Sequence, residues 1–127
     1  MDINKLSSNI IGAAIEVHRT LGPGLLESSY EQCICHELAL RGLSFERQKP
    51  IALNYKGTKL DCGYRLDIVV ESAIILELKS CEQIEPIHKA QLLTYLKLSG
   101  LKLGLILNFN TGLMREGIIR VVNELKE

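Results

Sequence analysis

The chain has 127 residues, 46% of them hydrophobic and 24% charged. That balance suits one globular domain over residues 1–127 and excludes a disordered polar chain. Fifteen basic and fifteen acidic residues give zero formal net charge, which argues against nucleic-acid binding through global charge but leaves a local basic patch open.

No apolar stretch reaches the roughly 18 to 20 residues of a membrane helix. The first residues show no basic region followed by an apolar core, so no secretion signal is expected. The expected location is cytoplasmic, with no membrane partner. Cys33, Cys35, Cys62 and Cys81 lack paired zinc-ligand spacing and are expected to be reduced.

In chain order, Ile3, Leu6, Ile10, Ala13 and Val17 recur at spacings of three and four, predicting a helix over residues 4–20. Leu21-Gly22-Pro23-Gly24 breaks it. A second helix is expected over residues 25–41, stopped by Gly42. Residues 43–53 read as a strand, with Pro50 suiting an edge or a bulge. Asn54-Tyr55-Lys56-Gly57 is a turn, and a second strand is expected over residues 59–70. After a turn at Glu71-Ser72, a third strand covers residues 73–79. These three runs form an antiparallel meander. Pro86 opens a helix over residues 86–99 that ends at Gly100, long enough to cross between parallel strands. Strands over residues 103–109 and 115–122 follow, then a polar tail over 123–127. The order predicts an α/β sandwich around a mixed central sheet.

The third predicted strand raises the main chemical question. Residues i and i+2 of a strand share a face, so Glu77 and Lys79 point one way with Ile75, while Ile74, Leu76 and Leu78 point the other. A run this apolar reads as an interior strand. A carboxylate and an ammonium there are costly unless paired, hydrogen-bonded or bound to a cation. Asp67 interrupts the neighbouring strand close to the rung of Glu77. Two readings stay open. One is a structural salt bridge among Asp67, Glu77 and Lys79. The other is a magnesium or manganese site in which Asp67 and Glu77 supply hard oxygens and Lys79 faces a phosphate.

Two helical residues bear on that choice. On a wheel of about 100° per residue, Glu27 falls within about 20° of Ile34 and Leu38. It is expected along an apolar face, either favoured by the helix dipole or reaching the acidic cluster. Gln91 shares a face with Ile87 and Leu98, flanked by His88 and Tyr95, where an amide either contacts phosphate or water or is a satisfied buried group. Tyr30 and Tyr95 read as packing residues with a polar tip.

The set Glu27, Asp67, Glu77-x-Lys79 and Gln91 resembles the active-site pattern of the PD-(D/E)XK nuclease superfamily. Gly24-Leu25-Leu26-Glu27-Ser28-Ser29-Tyr30 is similar to the signature of its GxxExxY family. The resemblance runs from about Ile11 to Arg120 and includes Phe45-Glu46-Arg47-Gln48 and the stretch from His88 to Leu96. It implies a restriction-endonuclease-like α/β/α sandwich: helix, three-stranded meander, helix and strand, plus an extra N-terminal helix and a C-terminal strand. It implies that Asp67 and Glu77 bind magnesium (or manganese), that Glu27 completes the acidic cluster, that Lys79 assists attack on the phosphodiester, and that Gln91 orients substrate or water. Leu66 stands where the superfamily pattern usually has proline.

Two functions follow as expectations. One is a metal-dependent nuclease acting on DNA or RNA, with Arg47, Lys49, Lys56, Lys59, Arg65 and Lys89 as candidate backbone contacts. The other is a non-catalytic nucleic-acid- or protein-binding module that keeps the fold. A homodimer through an edge strand near 43–53 or 115–122 fits either.

Overall fold

A computed structural model describes residues 2–125; Met1 and the Lys126-Glu127 end of the expected tail lie outside the described residues. Helix α1 spans Ile3–Leu21 and α2 spans Glu27–Leu40. The Asp2 side chain caps α1 by accepting the Asn4 N–H at 2.8 Å. Leu6, Ile10, Ala13 and Val17 are buried along one stripe, as their spacing predicts.

The strands are β1 (Phe45–Pro50), β2 (Leu53–Tyr55), β3 (Thr58–Leu60), β4 (Arg65–Val70), β5 (Ile74–Lys79), β6 (Leu103–Asn108) and β7 (Ile118–Val122). Helix α3, Pro86–Ser99, lies between β5 and β6. Five strands form one sheet in the order β1-β4-β5-β6-β7. The pair β5–β6 is parallel and the other three pairs are antiparallel. Helix α3 is thus the expected crossover, and β1-β4-β5 is the expected meander. The edge strands are β1 and β7.

Three expected strands are shorter than the sequence suggests; the first, expected over 43–53, runs only from Phe45 to Pro50. Residues 53–60 form a separate two-stranded hairpin, β2–β3, inserted in the meander. Its turn is Lys56-Gly57, with φ of 50° and 83°, the backbone signature of a tight two-residue hairpin turn. The run over 59–70 breaks because Asp61 Oδ1 accepts the Gly63 N–H at 3.0 Å. That local bond competes with strand pairing. The last strand starts at Ile118 rather than 115, because residues Met114–Gly117 wind into a 3-10 turn.

The sheet is covered on both faces. On one, Ile10, Ala13, Tyr30, Ile34 and Leu38 pack on Ile68, Leu76, Leu105 and Phe109. On the other, Leu92, Tyr95 and Leu96 of α3 pack on Val69, Ile75 and Ile106. Each fully buried aliphatic side chain contributes about 1.5–3 kcal/mol of transfer free energy. In β5, Ile74, Leu76 and Leu78 face α1 and α2 while Ile75 faces α3. Glu77 and Lys79 share the parity of Ile75. The central strand thus carries its two charges on the α3 side.

Candidate active site

The site forms where two central strands part. Strands β4 and β5 each have six residues, yet they pair over three rungs, from Val70–Ile74 to Ile68–Leu76. One step beyond, the Asp67 carboxylate takes over: its Oδ2 accepts the Leu78 backbone N–H at 2.8 Å. On the other side of β4, the rungs Arg47–Ile68 and Lys49–Leu66 leave Gln48 opposite Asp67 at the rung skipped between them. Gln48 has φ of 49°, a left-handed conformation that is uncommon for a residue with a side chain.

Glu77 is 8% exposed, and its Oε1 is buried with no hydrogen-bond partner. Burial, and next the negative charge of Asp67, push its pKa up to about 9; the positive charge of Lys79 pulls the other way more weakly. Lys79 ends β5 half-buried. The ion pairs among the described residues are Glu16–Arg19, Glu31–Arg47, Glu37–Arg41 and Glu46–Lys49. Asp67, Glu77 and Lys79 take part in none of them, so the salt-bridge reading does not account for this trio. The orphaned oxygen of Glu77 beside a second carboxylate is a hard-oxygen donor pair that fits a divalent cation.

The loop before α2 is built by the motif residues. Gly24 has φ of 102°, a conformation that favours glycine. The Tyr30 hydroxyl donates to the Gly22 carbonyl at 2.5 Å and accepts the Leu25 N–H at 3.2 Å. Its ring stacks on Phe109 with centroids 4.3 Å apart. Ser80 Oγ, just past β5, donates to the Leu25 carbonyl at 2.9 Å. These contacts tie the start of α2 to the charged end of β5.

Glu27 departs from the wheel expectation. Ile34 and Leu38 are buried, but Glu27 is exposed, because it is the first residue of α2 and precedes the part of the helix that lies on the sheet. It lines a cleft of about 150 Å³ with Ser28, Glu31, Gln48, Asp67 and Leu78. Among the described residues no group of three or more His, Cys, Asp or Glu side chains is arranged to hold a metal ion. The structure therefore brings Glu27 and Asp67 to one cleft and Asp67 beside Glu77, rather than all three into one cluster. The reason is geometric: α2 covers one face of the sheet and Glu77 belongs to the other.

Gln91 also departs. The buried face of α3 is Leu92, Tyr95 and Leu96, while Ile87 and Gln91 are exposed. Gln91 lies beside the Tyr95 hydroxyl, whose pKa is raised first by burial and next by the charge of Glu77. The amide thus stands at the rim of the site rather than inside it. His88 serves the helix end, its Nδ1 accepting the Glu85 N–H at 2.9 Å.

Two polar residues were not singled out from the sequence. Glu31 is 8% exposed. Its Oε2 accepts from Arg47 Nη2 at 2.8 Å and its Oε1 from Gln48 Nε2 at 2.6 Å. On the α2 wheel it lies about 40° from Glu27, so the same periodicity marks it. Asn108, also buried, accepts the Cys81 N–H at 3.2 Å and donates to the Cys81 carbonyl at 2.9 Å, holding the chain just past Lys79. Nothing in the sequence pattern signals that role.

A mixed sheet with helices on both faces, and a carboxylate pair and lysine where its central strands part, defines a restriction-endonuclease-like α/β protein. A family model described as the PD-(D/E)XK nuclease superfamily matches residues 4–121. The chain belongs to the PD-(D/E)XK nuclease superfamily, whose members generally use divalent metals and act on nucleic acids. No curated protein and no solved structure matches it. Among the described residues, no helix is long and apolar enough to cross a membrane.

Proposed function

We propose that this chain is a magnesium- or manganese-dependent nuclease that hydrolyses phosphodiester bonds of DNA (or RNA). The observation that carries this reading is the buried, unpartnered Oε1 of Glu77 next to Asp67, with Lys79 in none of the ion pairs among the described residues. Keeping such a set has no folding advantage, since apolar replacement of buried charges is often neutral or stabilising. Asp67 and Glu77 would hold the cation, its remaining positions going to a backbone carbonyl, water and substrate phosphate. When bound, the cation supplies Lewis acidity, making water a better nucleophile and steadying charge on the phosphate.

Asp67 is pre-set by Leu78, and Glu77 by burial on the α3 face. Lys79 directs its ammonium toward a phosphate oxygen, where positive charge counts most as negative charge develops. Glu27 completes the acidic surface from the other side of the cleft, and Gln91 orients substrate from α3. With Gly24, Glu27 and Tyr30 building one loop, we also assign the chain to the GxxExxY group. Residues 1–127 act as one domain in the cytoplasm. Cutting both strands of a duplex calls for two copies, and β1 and β7 offer edges for a homodimer.

The test is incubation with single-stranded, duplex and branched DNA and with RNA, in magnesium, in manganese and in EDTA. Cation-dependent cleavage of a DNA or RNA substrate supports the proposal. Tight binding with no cleavage under either metal turns it to the non-catalytic module.

A further inference from the structure

On the α3 side, next to the carboxylates, lies a second cleft of about 150 Å³, lined by Leu53, Tyr64, Gln91, Thr94, Tyr95 and Leu98. Its walls are aromatic and apolar, and its polar groups are few. Tyr64 is 39% exposed as a residue, and its ring meets Tyr95 at 6.0 Å between centroids, tilted by 59°. Tyr95 packs against the Tyr64 ring at a tilt, and Tyr64 stays partly exposed. The backbone of Tyr64 is itself held, its carbonyl accepting from the Ile51 N–H at 3.1 Å and from Arg65 Nη1 at 3.0 Å. Thr94 donates to the Ala90 carbonyl, which leaves its hydroxyl free to accept. Gln91 presents an exposed amide that donates and accepts.

Both kinds of charge stand around the cleft: the carboxylates of Glu77 and Asp67 act on Tyr95, and three cations stand on the hairpin and at the start of β4. Lys56 and Lys59 of the hairpin and Arg65 at the start of β4 take part in none of the ion pairs among the described residues. Lys56 instead lies 5.4 Å from the centroid of the exposed Tyr55 ring. A partly exposed tyrosine with two adaptable polar groups, beside cations outside any ion pair, is the chemistry of a base-stacking platform on a phosphate-tracking surface.

Resting on the nuclease reading above, we infer that this cleft takes one unpaired nucleobase of the strand being cut, stacked on Tyr64 with its edge against Gln91 and Thr94. A base in a duplex cannot enter without leaving its stack. The substrate is therefore single-stranded DNA, or a duplex with a frayed or flapped end.

The test measures binding, in EDTA, of a fluorescein-labelled single-stranded DNA 12-mer, the same strand in a blunt duplex, and the same strand carrying 2-aminopurine, using the full chain. The single strand is expected to bind more tightly than the duplex, with the 2-aminopurine emission quenched by stacking. Tyr64→Ala is expected to weaken single-strand binding about ten-fold and abolish the quench, from the stacking contribution of an aromatic residue. Tyr64→Phe keeps both. The quench in the unaltered chain does not depend on any variant folding. Equal affinity for both substrates with no quench overturns the inference, as does tight single-strand binding that Tyr64→Ala leaves unchanged. Tyr64-dependent binding without cleavage in magnesium leaves the subsite standing and removes only the catalytic reading. Cleavage without Tyr64-dependent binding does the reverse.

Discussion

Asp67 Oδ2 accepts the backbone N–H of Leu78 at 2.8 Å, just where β4 and β5 stop pairing. One carboxylate is thus given two jobs: it closes the ladder, and beside Glu77 it is the proposed cation ligand. The two jobs separate by mutation. Asp67→Asn keeps an oxygen for Leu78 and removes the charge, so the fold is expected to hold within about 1 kcal/mol while cation binding is lost. Asp67→Ala removes both and is expected to cost a further 1–2 kcal/mol or so. Urea denaturation with and without manganese reads the two effects separately.

Glu77 gives a pH signature. Its folded pKa is about 9, above the ordinary carboxylate value of 4.5. Between those values the folded chain holds a proton that the unfolded chain has released. Glu77's contribution to stability without metal is therefore fullest below about 4.5, declines as pH rises toward 9, and levels off above it. Glu77→Gln has no such slope and is expected to be more stable than the parent at pH 8 by about 1–3 kcal/mol. Urea midpoints in EDTA at several pH values check this. Parallel pH profiles for the two proteins would refute it.

Glu31 is expected to support the site from behind. Its two oxygens hold Arg47 and Gln48, and Gln48 faces Asp67 at the skipped rung. Glu31→Ala is expected to cost about 2 kcal/mol by loss of charge-assisted bonds. It should also lower kcat, because Gln48 loses the bond that holds its side chain beside Asp67. Glu31→Gln retains part of both. Equal kcat for the parent and Glu31→Ala would remove Glu31 from the site.

Much of the site was legible because sheet alternation is a strict period. Glu77 and Lys79 had to share a face, and Asp67 had to fall on the adjacent strand near Glu77. The apolar runs likewise fixed the meander and the crossover. What local pattern could not carry was the three-dimensional turn of the chain. The wheel placed Glu27 over Ile34 and Leu38, but a helix's first residue can stand clear of the sheet that buries its later turns. The same wheel marked Glu31, whose partners Arg47 and Gln48 are supplied by a strand 16 and 17 residues away. The β2–β3 hairpin escaped notice because one Asx bond at Asp61, rather than a change of composition, breaks the run. On α3, contact with the sheet selected Leu92, Tyr95 and Leu96 over the equally periodic Ile87, Gln91 and Leu98.

Gly117 controls the far side of the site. A Cβ there would lie 2.0 Å from the Asn108 carbonyl oxygen, and Asn108 holds the chain just past Lys79. Gly117→Ala is expected to destabilise by about 2–3 kcal/mol through overpacking against backbone. Thermal melts check the cost, and a fall in kcat at temperatures where the variant is still folded would show that the displacement reaches Lys79.

The central claim is that Glu77 and Lys79 do chemistry on a phosphodiester with a divalent cation. The most direct measurement is kcat/KM for cleavage of a labelled DNA strand in magnesium by the parent, Glu77→Ala and Lys79→Ala, each verified as folded. The parent is expected to cleave and to stop in EDTA, and each variant is expected to lose about 100-fold or more. Cleavage that persists at the parental rate in both variants would contradict the account.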